Sequence, residues 1–382
     1  MSTIPTQKPK VRLKFIDMAR SIAILLMLEG HFIDETLVME VRDTGNTAYF
    51  AWQFMRHFTA PIFLTVTGLI FTYLLLKKRE EGLIENKRIL KGLKRVVELF
   101  FWGFLVQFNA FHVLECIAFG ILSMLVIYAI YKLVKFIPLW IYFLVAGTSI
   151  FAYFPVVVEM PNGMSGPEHA WYSFIDYFFP DERIIIHFPT VPFVAFTMFG
   201  AMIGALLHDC HKHIKKLYFP MTFTIVGALL FLFSPEILGT MDVALESIFD
   251  GSDFRIAGLR RLYEKLGMVL IILSLLIYID NAWGDKIKGD NLFLKIGQNT
   301  LTIYVVHMLL LYVLVHALGL KDDINHTFGP WASGLGAVGF VILFVFIIKY
   351  LEQIKAALSK ALEWINIGFT FLVERLRSSL NK

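Results

Sequence analysis

Long apolar runs, punctuated by short polar stretches, recur from one end of the chain to the other. Ten of them read as membrane-spanning helices, at 15–36, 53–76, 95–110, 112–134, 138–157, 189–208, 218–238, 262–280, 293–318 and 330–350. About twenty apolar residues in helical form cross about 30 Å of hydrocarbon. The period-two alternation of a barrel strand is missing. The pattern therefore predicts an all-α, polytopic integral membrane protein with about ten transmembrane helices, because a helix in lipid satisfies its own backbone. The longest polar interruption, 158–188, contains "MPNGMSGPEHAWYSFIDYFFPDER" and reads as an extra-membrane loop. Residues 351–382 interleave Leu, Ile, Phe and Trp with Lys, Glu and Arg, the pattern of an amphipathic helix lying on a membrane surface. The expected organisation is a transmembrane domain over 1–350 followed by that surface helix.

Composition agrees with the pattern. The chain is 57% hydrophobic and 17% charged, against about 25% charged in a soluble domain. The net charge of +4 is too small to suggest nucleic acid as a partner, and it reports orientation instead. Most of the 35 Lys and Arg fall at the N-terminus, in 77–95, 132–135, 212–216 and 286–295, and after 349. The positive-inside rule then places both termini in the cytosol, in what is expected to be a bacterial inner membrane. One outer segment, 239–265, breaks the rule with Arg255, Arg260, Arg261 and Lys265: it binds something anionic, or a span is misdrawn. The first apolar run lacks a small-residue cleavage site and is expected to stay as an anchor. Cys116 and Cys210 give neither a disulfide framework nor zinc spacing.

The chemistry begins on the first span, "ARSIAILLMLEGHFIDE". Arg20 and His31 lie eleven positions apart, about three helical turns, so they share a face roughly 16 Å apart in depth. Asp17 lies one turn before Arg20, and Asp34 one turn beyond His31. Gly30 leaves room for a helix or ligand to approach His31. Snorkelling interfacial residues are the plain alternative. The stripe favours function, because charges at membrane depth usually face a water-filled path or a partner. Histidine transfers protons near neutral pH, and a carboxylate such as Asp34, one turn away, would orient its ring.

The string "RLKFIDMARSIAILLMLEGHFID" resembles the bacterial relatives of heparan-α-glucosaminide N-acetyltransferase, and its Arg, ten residues, His spacing resembles the acyltransferase-3 family. The likeness continues in order through "FMRHFTAPIFLTVTGLIF", "FHVLECIAFGIL", "FPTVPFVAFTMFGAMIG" and "IGQNTLTIYVVHMLLLY". It implies an enzyme that takes acetyl or another short acyl group from cytosolic acyl-CoA and passes it to a sugar or amino-sugar acceptor on the far side. In that frame Arg20, with Asp17, Lys295, Gln298 and Asn299, would hold the CoA end, and His31 would act as general base on the acceptor. A covalent acyl-histidine step is the less favoured variant. In the lysosomal heparan enzyme the histidine assigned to catalysis lies between the first two spans; residues 36–55 of this chain contain no His. The role falls to His31, or to His57 at the mouth of the second span, and N- versus O-acylation stays open.

Further polar positions complete the expected site. Arg56 and His57 sit near the outer mouth of the second span, where Arg56 pairs with Asp34 or binds the acceptor. Thr300, Tyr304 and His307 share a face near mid-membrane, with Tyr304 and His307 as acceptor-binding candidates. Glu115 has either Arg56 or His112 as partner. The cluster "HDCHKH" at 208–213 matches no zinc spacing, so no metal is expected. Acyl-CoA, an acceptor glycan and membrane lipid are the expected partners, and a homodimer is compatible with the sequence. The rival function is a proton-coupled transporter or carrier of a small polar or lipid-linked solute, using the same stripe; no inverted pair of broken helices stands out to support it.

Overall fold

A computed structural model describes residues 13–43, 45–83, 85–159, 166–179, 185–248, 259–357 and 359. Helices dominate in chain order: α1 (Lys14–Thr36), α2 (Thr47–Arg56), α3 (Thr59–Leu76), α4 (Lys87–Val106), α5 (Val113–Val134), α6 (Leu139–Glu159), α7 (Gly166–Phe178), α8 (Thr190–Asp209), α9 (Tyr218–Ile248) and α10 (Arg260–Trp283). The series continues with α11 (Leu292–Gln298), α12 (Thr300–Met308), a π-helical segment (Leu309–Leu314), α13 (Val315–Ala317), α14 (Lys321–Ile324) and α15 (Pro330–Lys349). Two short strands, β1 (Ala110–Phe111) and β2 (Ile185–Ile186), pair in parallel.

The all-α membrane architecture follows the apolar pattern, but the span count differs. Among the described residues, seven helices are long and apolar enough to cross a bilayer, or eight if the bent pair α11 and α12 with its π segment counts as one. The shortfall from ten has a physical cause. α1 carries Asp17, Arg20, Glu29 and Asp34, and α4 opens on "KRILKGLKR", so both are long helices that fail on charge. Residues 87–94, expected in a cytosolic loop, form the first turns of α4. α2 and α3 together extend the expected 53–76 span back to Thr47, and α9 runs ten residues past its expected end. The loop 158–188 holds a helix of its own, α7. Residues 351–357 and 359 are helical; most of the remaining stretch expected as a surface helix, like Arg255, lies outside the described residues.

Helix starts are written in the sequence. Asn46, Asn86 and Asn291 each precede a helix and accept hydrogen bonds from backbone N–H groups of its first turn. α1 is buried on most sides, through Phe15, Ile16, Met18, Ala19, Ala23, Ile24 and Leu28. It packs against α3, α10, α11 and α15. The α3–α8 pair forms the most extensive helix contact. Glycine makes it possible: a Cβ at Gly68 would strike the Thr197 carbonyl, and one at Gly200 the Thr65 carbonyl. Without a hydrophobic drive between helices in lipid, such close backbone approach is what holds them. On the periphery, Leu229, Phe233 and Ile237 of α9 and Val338, Ile342 and Phe346 of α15 are exposed, as lipid-facing side chains should be.

Candidate active site

The C-terminal half of α1 borders a cavity of about 690 Å³. Ala23, Ile24 and Met27 form its deep wall, and His31, Asp34 and Glu35 continue along the same helix. Opposite α1 stand Tyr304, Met308 and Tyr312, spaced i, i+4 and i+8 on one helical face. The rest of the wall is supplied by Arg56 and His57, by Lys265 at the start of α10, and by two loop histidines, His112 and His187. The β1–β2 pairing brings those two together: His187 donates its N–H to the Phe111 carbonyl at 2.9 Å, so each strand ends on a histidine at the cavity.

His31 lies at the centre of this arrangement. Its Nδ1 is 3.1 Å from the Tyr312 hydroxyl, and its ring centroid is 5.2 Å from that of His307. Glu35 also approaches the Tyr312 hydroxyl. The tautomer follows from that chain. If Tyr312 donates to the Glu35 carboxylate, its oxygen accepts from Nδ1–H of His31, and Nε2 of His31 keeps its lone pair for a substrate proton. Tyr312 belongs to the π-helical segment, a distortion often found at functional sites.

Asp34, expected to orient the imidazole, makes no hydrogen bond to it among the described residues. Its carboxylate forms an ion pair with Arg56. Arg56 also lies over the Trp52 ring, 5.4 Å from its centroid, and the Trp52 Nε1–H donates to Glu29 at 2.5 Å. Gly30 admits Arg56: a Cβ there would sit 2.9 Å from its Nε. The neighbour that approaches His31 across Gly30 is thus a guanidinium. Arg42 closes α1 from beyond its end, donating to the carbonyls of Asp34 at 2.5 Å and Leu37 at 3.0 Å.

The residues at the N-terminal end of α1 form a separate cluster. Arg20 donates to the Thr300 hydroxyl at 2.9 Å, and Asp17 acts on it electrostatically. The helix breaks by 74° around Asn299, so Lys295, Gln298 and Asn299 do not begin a continuous span as expected. They belong to α11 and its cap, with Lys295 and Gln298 exposed. Gly297 holds α11 against α1, its N–H donating to Ser21 at 2.9 Å. The cavity reaches Ala23 and Ile24 but does not include Arg20, one turn or about 5 Å further along. His57 and Tyr304 line the cavity, whereas His307 is fully buried behind His31, its Nδ1 near the Ile303 carbonyl at 3.2 Å.

Several site residues were not singled out from sequence. Tyr312 continues the 304–308 stripe by one turn and was legible there. Glu35 and Glu29 lay inside the quoted first-span string. His187 had no local signal, because only the β1–β2 pairing brings it in. Lys265, one of the cations that broke the charge rule, proves to face the cavity. Glu115 partners His112, the second of its two candidates, with Oε2 2.7 Å from Nδ1. Among the described residues no cluster of His, Cys, Asp or Glu is arranged to hold a metal ion.

Residues 12–235 match the family model for heparan-alpha-glucosaminide N-acetyltransferase, catalytic. The match runs from α1 into α9 and takes in His31, Arg56, His112 and His187, while Lys265, Tyr304, His307 and Tyr312 lie beyond it. No curated protein matches the chain. With more than half of the 382 residues matched, the chain belongs to the heparan-alpha-glucosaminide N-acetyltransferase catalytic family.

Proposed function

We propose that the protein transfers an acetyl or other short acyl group from cytosolic acyl-CoA to a sugar or amino sugar outside the membrane, with His31 as general base. The observation that carries this reading is the engagement of His31 Nδ1 by Tyr312 at the head of a cavity large enough for a sugar. Nε2 takes the proton of an acceptor hydroxyl or amine, and the acceptor attacks the thioester directly. Arg56, His57 and Tyr304 line the acceptor's position. In this reading α1 and α4 also cross the membrane, giving ten spans, and both termini face the cytosol of a bacterial inner membrane.

The CoA end docks at Arg20, Lys295, Gln298 and Asn299, and its pantetheine arm enters past Thr300 toward Ala23. A charge-assisted hydrogen bond contributes about 1.5–3 kcal/mol. Arg20→Ala is therefore expected to weaken acyl-CoA binding by roughly 10- to 100-fold, with turnover at saturating donor largely kept. Calorimetry on the purified protein checks this, and unchanged affinity rejects the role. The tautomer argument makes its own prediction. Tyr312→Phe removes one hydrogen bond of about 1–1.5 kcal/mol, which corresponds to about a tenfold loss in turnover. Steady-state kinetics should show that loss in kcat with KM held; a change in KM alone would reject the relay.

One observation favours the transporter reading: the bent pair at Asn299 resembles the discontinuous helices of carriers. Carriers show such helices in pairs, and one bent pair is found among the described residues. Solute uptake into proteoliposomes without CoA release decides for the carrier, and CoA release dependent on a sugar decides for the transferase.

A further inference from the structure

The cavity wall holds a buried imidazole that the mechanism above does not use, that of His112. His112 is 3% exposed and Glu115 is fully buried. At the start of α5, Glu115 Oε2 lies 2.7 Å from His112 Nδ1 and 3.3 Å from the His112 backbone N–H. Those contacts account for Nδ1 and Oε2. They do not account for Nε2 on the other edge of the ring, which is buried with no hydrogen-bond partner among the described residues, in a residue that lines the cavity. Nor does starting a helix require a buried carboxylate, which is costly unless paired; asparagine starts three other helices of this chain. α4 leaves space for that carboxylate, because a Cβ on Gly103 would collide with it.

We propose that His112, with Glu115 as its positioning residue, is a second catalytic imidazole that protonates the departing CoA sulfur. This rests on the transferase reading. The depth fits: the His112 ring centroid is 6.1 Å from that of Tyr304, which lies one turn nearer the cytosol than Met308 on the cavity stripe. Tyr304 is in turn 5.1 Å from His307, the neighbour of His31. A donor arm rising from Arg20 passes Tyr304 and His112 before it reaches His31. The step balances. The acceptor O–H or N–H proton goes to Nε2 of His31, the new C–O or C–N bond forms, and the C–S bond breaks. The sulfur takes the Nε2 proton of the His112 imidazolium, which forms an ion pair with Glu115 while it is charged. Net, one proton moves from acceptor to CoA thiol, and water in the cavity returns it from His31 to His112.

The test uses the purified full chain with glucosamine as acceptor and two donors, acetyl-CoA and its selenoester analogue. A selenolate is a far weaker base than a thiolate and departs without protonation. His112→Ala is expected to lose about 100-fold in kcat with acetyl-CoA, and only a few-fold with the selenoester. Glu115→Gln, which keeps the shape of the side chain, should show the same donor-dependent pattern to a smaller degree. A merely structural role depresses both donors equally, and that result, or full activity in His112→Ala, overturns the proposal. His31→Ala should lose activity equally with both donors. If it does not, the base assignment fails while the His112 result is read independently. A wild-type protein inactive with both donors on amino and hydroxyl sugars overturns both readings.

Discussion

His31→Ala is expected to abolish acyl transfer while leaving the fold intact. The general base contributes about 10²- to 10⁴-fold to such a reaction. Among the described residues no other group in the cavity combines a ring nitrogen fixed by a hydroxyl relay with an Nε2 left for the substrate. The fold should persist because the His31 ring borders an open cavity, while α1 is anchored elsewhere: by Phe15 and Ile16 in the core, by Ser21 on α11, and by Arg42 over its last turn. Release of free CoA from acetyl-CoA in the presence of a sugar measures the effect. Undiminished release would remove His31 from the mechanism.

The second large effect falls on stability. Gly200→Val is expected to destabilise the protein by about 3 kcal/mol or more, the upper range for overpacking a closed contact. Its first added carbon already meets backbone atoms of Thr65, which cannot rotate away as a side-chain tip would. Helices α3 and α8 must then separate, and the cavity separates with them: Ala60, Pro61 and Phe63 come from α3, and Phe193 from α8. Thermal unfolding in detergent should show a marked drop in midpoint for Gly200→Val and a smaller one for Gly200→Ala. Gly239→Ala, where nothing lies within 4 Å of the added carbon, should leave the midpoint nearly unchanged. Equal midpoints for all four proteins would contradict the packing account.

The sequence carried the membrane class and the first-span stripe because both rest on one-dimensional periodicity. Arg20 and His31 needed only the helical repeat to be placed on related faces at different depths. The span count is hardest to read where composition and length conflict, as in α1 and α4, whose charges disguise long helices. The break at Asn299 was illegible for a similar reason: "IGQNTLTIYVVH" is apolar enough on both sides to read as one rod, and only contact of Gly297 with Ser21 shows where α11 turns away. The pairing of Asp34 with Arg56 was legible as one of two options. The other, Asp34 orienting His31, competes with a guanidinium that reaches the carboxylate across Gly30. His112 and His187 meet through two residue pairs of parallel strand, a long-range contact that no local pattern encodes.

A structure of the protein with acetyl-CoA bound bears most directly on the meeting of donor and base. The account places the nucleotide beside Arg20 and Lys295, with the thioester carbon in the cavity and about 3–3.5 Å of free approach left for an acceptor atom held by His31 Nε2. A thioester that stops on the cytosolic side of Ala23, or a donor that enters past Arg56 and Lys265 from outside, would contradict it.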